Sequence, residues 1–299
     1  MSGGVVALVL TYRRPGLATR SVRWLVDDEG IPPEDIVLVV NGEGGLDDPA
    51  LEGAIEVLRL PENVGPAGGF ARGLRHVLAT RDGAWVYVCE DDVALYPLPT
   101  PRTERLIKEA EGADTQRPIG AVVAYGRDMD PRTGITYPHR VSTDEPFEEI
   151  DMGQWGATLL SRRVLEANTF PDESMFWGYE DLEYFLAVRR AGFRVVVDTE
   201  SARAVNDTVT RPARSTWKDV RPNRRQEPWT SYYAARNFFV LARRHGTWRW
   251  TAHHWAKSAR RYQLASSRQQ RSAIAHGFVD GLRRRDGKHP DFVRETGEL

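Results

Sequence analysis

Trp85-Val86-Tyr87-Val88-Cys89-Glu90-Asp91-Asp92 is the stretch that decides the fold of this chain. Five strand-forming residues run without a break and stop at three adjacent carboxylates. A continuous apolar run of this length, bounded by a polar turn, reads as a strand covered on both faces, as in a parallel sheet. Adjacent carboxylates repel one another, so a triplet at the exit of a core costs stability unless a cation neutralises it. Hard oxygen donors suit Mg2+ or Mn2+, ions that take one or two protein carboxylates together with substrate phosphates. In extended chain, residues i and i+2 face the same way, so Glu90 and Asp92 can share one side. A solvated acidic turn is the ordinary alternative, and the abrupt exit from the core argues against it.

Outward from this stretch the same pattern recurs. Val5 to Leu10 is a second apolar run, ending at Thr11-Tyr12-Arg13-Arg14-Pro15. A helix with Leu17, Val22, Trp24 and Leu25 follows and ends near Gly30. Asp35 to Val40 reads as another buried strand, broken at Asn41-Gly42, and Ile55 to Leu58 as a weaker one. Asn63-Val64-Gly65-Pro66-Ala67-Gly68-Gly69 then opens a helix whose Phe70, Leu74, Val77 and Leu78 share one face. This β-α-β alternation predicts a doubly wound sheet, whose ligands bind at the carboxyl ends of the strands. The segments Thr11 to Arg13, Asn41-Gly42 and Glu90 to Asp92 should therefore converge on one crevice.

Further on, strands are predicted over 119–125, 155–160 and 193–197, with residues 126–152 as a loop or hairpin. A helix is predicted from Asp181 to Ala191, with Leu182, Phe185 and Leu186 inward and Gly192 as its stop. From about Thr230 the pattern is helical. Trp248, Ala252, Trp255, Ala259 and Tyr262 recur at 4-3-4-3 spacing, which is read as a face packed on the protein's own core. The expected organisation is a catalytic unit over 1–210 and a helical region over 211–299 packed on it.

The 299 residues, 41% hydrophobic and 28% charged, have ordinary globular composition. A lone cysteine, Cys89, rules out a disulfide framework and a cysteine metal cage. The start of the chain shows no leader-like segment, and no apolar run reaches the length of a membrane span, so a cytoplasmic location is expected. The net charge of −1 hides a split. Residues 1–210 carry 21 Lys+Arg against 35 Asp+Glu, and residues 211–299 carry 20 against 7. A basic C-terminal third meets something anionic: the acidic body, a phosphate-bearing substrate, a membrane surface or nucleic acid.

Two further constellations carry chemistry. The glycine-rich loop at 63–69 offers backbone N–H groups at a helix start, which favours an anion such as a diphosphate. It lacks the Gly-Lys-Ser/Thr of a P-loop and does not fit the dinucleotide fingerprint. Trp177-Gly178-Tyr179-Glu180-Asp181 sets carboxylates at a helix start behind an aromatic wall, where one of them could act as a general base.

Taken in order, Thr11-Tyr12-Arg13-Arg14-Pro15, Asn63-x-Gly-x-Ala-Gly-Gly-Phe-Ala, Glu90-Asp91-Asp92 and Gly178-Tyr179-Glu180-Asp181-Leu182-Glu183 resemble family 2 glycosyltransferases of the GT-A fold. The likeness is to their bacterial galactofuranosyltransferase and rhamnosyltransferase-like branch, spans roughly residues 5–245, and extends to Gly277 to Leu282. The resemblance implies a Rossmann-like, doubly wound mixed sheet and an inverting, metal-dependent transfer from UDP-galactofuranose or dTDP-rhamnose to a carbohydrate, lipid-linked or natural-product acceptor. It assigns the nucleobase to Thr11, Tyr12 and Arg13, and the nucleoside side to Asn41. Asn63, Gly65, Gly68 and Gly69 line the nucleotide pocket in this reading. Glu90, where the family more often has Asp, and Asp91 approach the ribose or diphosphate. Asp92 binds Mn2+ or Mg2+, and Asp181 is the base. Trp155, Gly156, Trp177, Glu180 and Arg236 shape the sugar and acceptor site. The family commonly has a metal-binding His where Asp207 stands here, and a carboxylate can serve as that ligand.

Two other classes compete. A sugar-phosphate nucleotidyltransferase would also bind nucleotide and metal. It would carry a Gly-rich, Arg/Lys-bearing loop after the first strand, where this chain has Thr11 to Pro15. A membrane- or nucleic-acid-binding module could use Trp248-Arg249-Trp250, Arg260-Arg261 and Arg283-Arg284-Arg285. Of these two surfaces, peripheral contact at the inner membrane face is the expected secondary role, and no nucleic acid is expected.

Overall fold

In a computed structural model of the chain, residues 4–113, 116–208, 218, 220 and 227–293 are described, apart from the side chains of 207 and 208. The strands are β1 (Val5–Thr11), β2 (Ile36–Asn41), β3 (Glu56–Leu60), β4 (Trp85–Glu90), β5 (Ile119–Val123), β6 (Arg127–Met129), β7 (Thr136–Pro138), β8 (Phe147–Glu149), β9 (Thr158–Ser161) and β10 (Arg194–Asp198). The helices are α1 (Pro15–Asp27), α2 (Pro49–Ala54), α3 (Gly65–Thr80), α4 (Thr103–Gly112), α5 (Arg162–Glu166), α6 (Glu180–Arg190), α7 (Thr199–Thr208), α8 (Pro228–His245), α9 (Trp248–Leu264) and α10 (Arg268–Arg283).

Eight strands form one sheet in the order β3-β2-β1-β4-β9-β5-β10-β8. The first four run parallel, β9 runs antiparallel between β4 and β5, and β8 closes the edge antiparallel to β10. The expected doubly wound mixed sheet with a C-terminal helical region is what the chain forms. Both faces are buried, which is why the strand runs are continuous rather than alternating. Leu8 and Leu10 of β1 join Phe70 and Leu74 of α3 on one face. Ala7 and Val9 join Val22 and Leu25 of α1 on the other. The chain steps from β1 out to β3, then returns to β4 on the other side of β1. Strand order reverses there, so a crevice opens at the carboxyl ends of β1 and β4.

Residues 126–152 do more than a loop: β6 and β7 pair as a hairpin, and β8 enters the main sheet. The strand expected from Trp155 starts only at Thr158, because Trp155 is turned into the core against Phe70, at 4.5 Å between ring centres. Helix α6 ends as expected at Gly192, whose φ of 95° suits glycine.

The C-terminal helices share the body's core: Phe238, Leu241 and Trp250 belong to the same apolar cluster as β1 and β4. Helix α10 lies close on α8 because Gly277 and Gly281 face it. A Cβ on Gly277 would fall 2.2 Å from the Tyr232 carbonyl oxygen. The 4-3-4-3 face of α9, expected to pack, is instead exposed. Trp250, His254 and Ser258 turn inward in its place.

Candidate active site

The three strand ends meet as the alternation predicted. One cavity is lined by Thr11, Tyr12 and Arg14 after β1, by Asn41 after β2, by Asn63, Gly65 and Pro66 at the start of α3, and by Glu90 of β4. Phe176, Trp177 and Trp229 close it from above, with the two indoles edge-to-face at 4.7 Å.

Asn41 is a bracket rather than a free ligand group. Its amide donates to Asn63 Oδ1 (3.2 Å) and the Gly65 carbonyl (3.1 Å), and its Oδ1 accepts from the Val64 N–H (2.9 Å). Gly65 has φ 74°, and a Cβ there would fall 2.1 Å from the Phe176 carbonyl oxygen, so only glycine fits. Gly68 and Gly69 are corrected. They are buried in α3, where a Cβ would meet Val64 and Leu10, so they serve close packing and do not line the cavity.

Asp91 and Asp92 divide the labour. Asp91 is fully buried, accepts from Thr11 Oγ1 at 2.7 Å, and forms an ion pair with Arg14. It knots β1 to β4 and is closed off from a ribose or diphosphate, contrary to the expected contact. Burial pushes its carboxyl up to about 6 against the pull of Arg14 and Thr11. Asp92 is partly exposed, and its Oδ1 is buried without a hydrogen-bond partner. Burial, then the charges of Asp92 and Asp91, push Glu90 up to about 7.

Sequence reasoning placed Arg13 on the nucleobase. The structure sends it out to Glu43 at 2.8 Å, from a backbone with φ 54°. Arg14, not singled out from the sequence, lines the cavity, pairs with Asp91 and stands 3.8 Å from Asp92. Its Nε and Nη2 are held by Asp91, which leaves Nη1 on the Asp92 side. Two adjacent arginines look alike in sequence, and the left-handed turn at Arg13 decides which one faces in.

Asp181 heads α6, with its Oδ1 accepting from the Leu182 N–H at 2.7 Å. Burial raises it to about 6, and its charge is among those that push Glu90 up. Glu180 is buried, held well above the ordinary carboxylate range by burial and by Asp181, and its Oε2 has no hydrogen-bond partner. Phe176, Gly178 and Tyr179 all have positive φ, a strained run of the kind that clusters at functional sites.

That run is held by α8, which corrects the role expected of Arg236. Arg236 is 1% exposed and donates to the carbonyls of Met175 (2.8 Å), Ser174 (3.2 Å) and Gly287. Asn237 Nδ2 reaches the carbonyls of Met175, Trp177 and Gly178. Both are braces of the 174–178 segment. Trp155 and Gly156 are likewise structural: Trp155 is core, and a Cβ on Gly156 would fall 2.4 Å from the Tyr125 hydroxyl. Trp177 does line the cavity.

A divalent cation fits Asp92. Its buried, unpartnered oxygen is a hard donor beside two further carboxylates. Among the described residues no three His, Cys, Asp or Glu side chains gather into a complete metal cluster. Asp207, the other expected ligand, sits on α7, and its side chain lies outside the described residues.

No family model matches the chain. It is 36% identical over 98 residues to galactofuranosyltransferase GlfT1 of Mycobacterium tuberculosis, in strains CDC 1551 / Oshkosh and ATCC 25618 / H37Rv. That match spans 31% of this chain and 31% of the relative, about a third of each. Among solved structures it is similar to the mannosyltransferase PcManGT from Pyrobaculum calidifontis in complex with GDP-Man and Mn2+. The TM-score is 0.48 and the identity 14%, over 94% of this chain and 88% of that one. It is also similar to S. aureus TarS 1-349, with TM-score 0.48 and 14% identity over 93% and 81%. GalNAc-T7 with UDP, GalNAc and Mn2+ aligns at TM-score 0.48 and 12% identity over 95% and 58%.

Proposed function

We propose that this chain is an inverting glycosyltransferase, moving a sugar from a nucleoside-diphosphate sugar to an acceptor hydroxyl with Mn2+ or Mg2+ at Asp92. The observation that carries the reading is the crevice itself. Thr11, Tyr12, Arg14, Asn63 and Glu90 line it together, Asp92 follows two residues after Glu90, and the charge of Asp181 reaches Glu90. The segment shared with a galactofuranosyltransferase supports a donor of UDP-galactofuranose type, with dTDP-rhamnose as the other candidate. The acceptor is a carbohydrate, a lipid-linked sugar or a natural product.

Tyr12 and Trp177, which line the cavity, give the base and the sugar aromatic surfaces to pack on. Arg14, held on Asp91 through Nε and Nη2, offers Nη1 to one diphosphate oxygen. Asp181 takes the proton from the acceptor hydroxyl as that oxygen attacks the anomeric carbon, and the bond to the diphosphate breaks in the same displacement. Its pKa near 6 leaves it ionised at neutral pH yet basic enough to accept a proton. When bound, the cation supplies charge stabilisation to the departing diphosphate. One displacement inverts the anomeric configuration.

The test is calorimetric titration with UDP and with dTDP, with and without Mn2+, on the wild type and on Asp92→Ala. Metal-dependent binding of one nucleotide, lost in Asp92→Ala, supports the reading and selects the donor. No binding of either by folded protein sinks it.

A further inference from the structure

Six large hydrophobic side chains are strongly exposed among the described residues, and five of them lie on two adjacent helices. Trp248 (74%), Trp255 (53%) and Tyr262 (46%) are on α9, and Val279 and Leu282 on α10. The three aromatics recur every seven residues, so they form one row about 21 Å long at 1.5 Å rise per residue. Phe278 of α10 packs against Trp255 at 5.0 Å and joins the two helices into one patch. The row is not a core face left uncovered. Helix α9 already packs inward through Trp250, His254 and Ser258, with His254 stacked on Phe238 at 4.3 Å.

The surrounding charge is of one sign. Residues 248–283, which span α9 and α10, contain seven Lys+Arg and one acid, Asp280, which is 4% exposed and accepts from the Tyr232 hydroxyl. The Arg249 guanidinium lies over the Trp248 ring at 5.7 Å, and Lys257, Arg260 and Arg261 follow along the same helix. Indoles and a phenol with cations beside them suit the headgroup layer of a bilayer, where amphipathic rings settle and anionic lipids attract Lys and Arg. No helix among the described residues is long and apolar enough to cross a membrane, so contact of this kind lies along the surface.

We propose that α9 and α10 form a docking surface for an anionic phospholipid bilayer. Charge complementarity selects this occupant. A second copy of the chain would bring the same cations face to face. A nucleic acid would stack on the indoles but leave aliphatic Val279 and Leu282 without a partner. Helix α8 lies between this surface and the cavity: its Phe238 and Phe239 meet His254 and Phe278, and its Trp229 lines the cavity. Docking would therefore set the crevice one helix layer from the lipid. The inference stands on the patch alone and is tested without any activity assay.

The experiment is co-sedimentation of the full chain with vesicles of phosphatidylcholine, and of phosphatidylcholine mixed with phosphatidylglycerol, at low and raised salt. Quenching of tryptophan fluorescence by brominated lipid in the wild type reads insertion directly. Binding to the anionic vesicles only, weakened by salt and accompanied by quenching, is the expected result. Trp248→Ser/Trp255→Ser should keep the wild-type far-UV circular dichroism and bind roughly tenfold or more weakly, from the apolar area lost. Arg249→Glu/Arg260→Glu should lose the preference for anionic lipid. Wild-type protein left in the supernatant with both vesicles overturns the proposal, as does binding without quenching that neither variant alters. Self-association removed by Trp255→Ser, or binding of a single-stranded polynucleotide, in place of vesicle binding would overturn it too.

Discussion

Arg236→Lys separates two roles for a residue whose chemistry alone suggests a phosphate ligand. In the structure Arg236 is buried and spends its donors on Asn237 Oδ1 (2.8 Å) and on the carbonyls of Ser174, Met175 and Gly287. Its guanidinium also lies 4.8 Å from the Tyr233 ring centre. The Ser174 carbonyl keeps the Gly287 N–H, and the Met175 carbonyl keeps the Trp177 N–H and Asn237 Nδ2, so lysine, which keeps the charge but not the fork, leaves the Gly287 carbonyl or Asn237 Oδ1 short of a donor. At about 1–2 kcal/mol for a buried acceptor left unpaired, Arg236→Lys should lose about 1–2 kcal/mol of stability. Urea unfolding reads this directly as a lower midpoint at unchanged slope. Nucleotide affinity, by calorimetry, should fall too, because Phe176 and Trp177 sit on the segment that loosens. Wild-type stability with specifically weakened ligand binding would refute the brace and return Arg236 to the substrate.

Gly65→Ala should cost about 2–4 kcal/mol and abolish nucleotide binding, since the new methyl meets the Phe176 carbonyl in a left-handed backbone. Gly178→Ala, with nothing nearer than 4.0 Å, should cost only about 1–2 kcal/mol of backbone strain by thermal unfolding. Asp181→Asn should keep donor binding and lose about 100-fold or more in turnover. The wild-type rate should rise with pH through about 6 and level off above it, because burial raises the carboxyl and only its ionised form accepts a proton. His139 is held above its ordinary range by its bond to Asp128 and by Glu148, against the effect of burial. Its stabilisation is therefore fully present below about 6.5, the unfolded value, and is lost as pH rises through the higher folded value. The difference in melting temperature between wild type and His139→Phe should shrink over that window, and a difference flat in pH would count against the clasp.

What the sequence by itself determined was the sheet and the rim on which its polar strand ends meet. Continuous apolar runs at Val5 to Leu10, Ile36 to Val40 and Trp85 to Cys89 can only be strands covered on both faces, and polar residues at their ends must then share a rim. The inward residues of α6 and its stop at Gly192 were equally legible, because helical period and a glycine's positive φ are local properties. The assignment of individual side chains was not local. Which of Arg13 and Arg14 faces the cavity depends on one left-handed residue and on Glu43, thirty positions away. Arg236 looks like a ligand until the 174–178 segment arrives beneath it. Gly68 and Gly69 look like a phosphate cradle until Leu10 and Val64 close over them. On α9 the period located an apolar face correctly, but period cannot say what covers it. Helix α8 took the Trp250, His254, Ser258 side and left the Trp248, Trp255, Tyr262 row outside, a choice made by packing between helices that no single helix encodes.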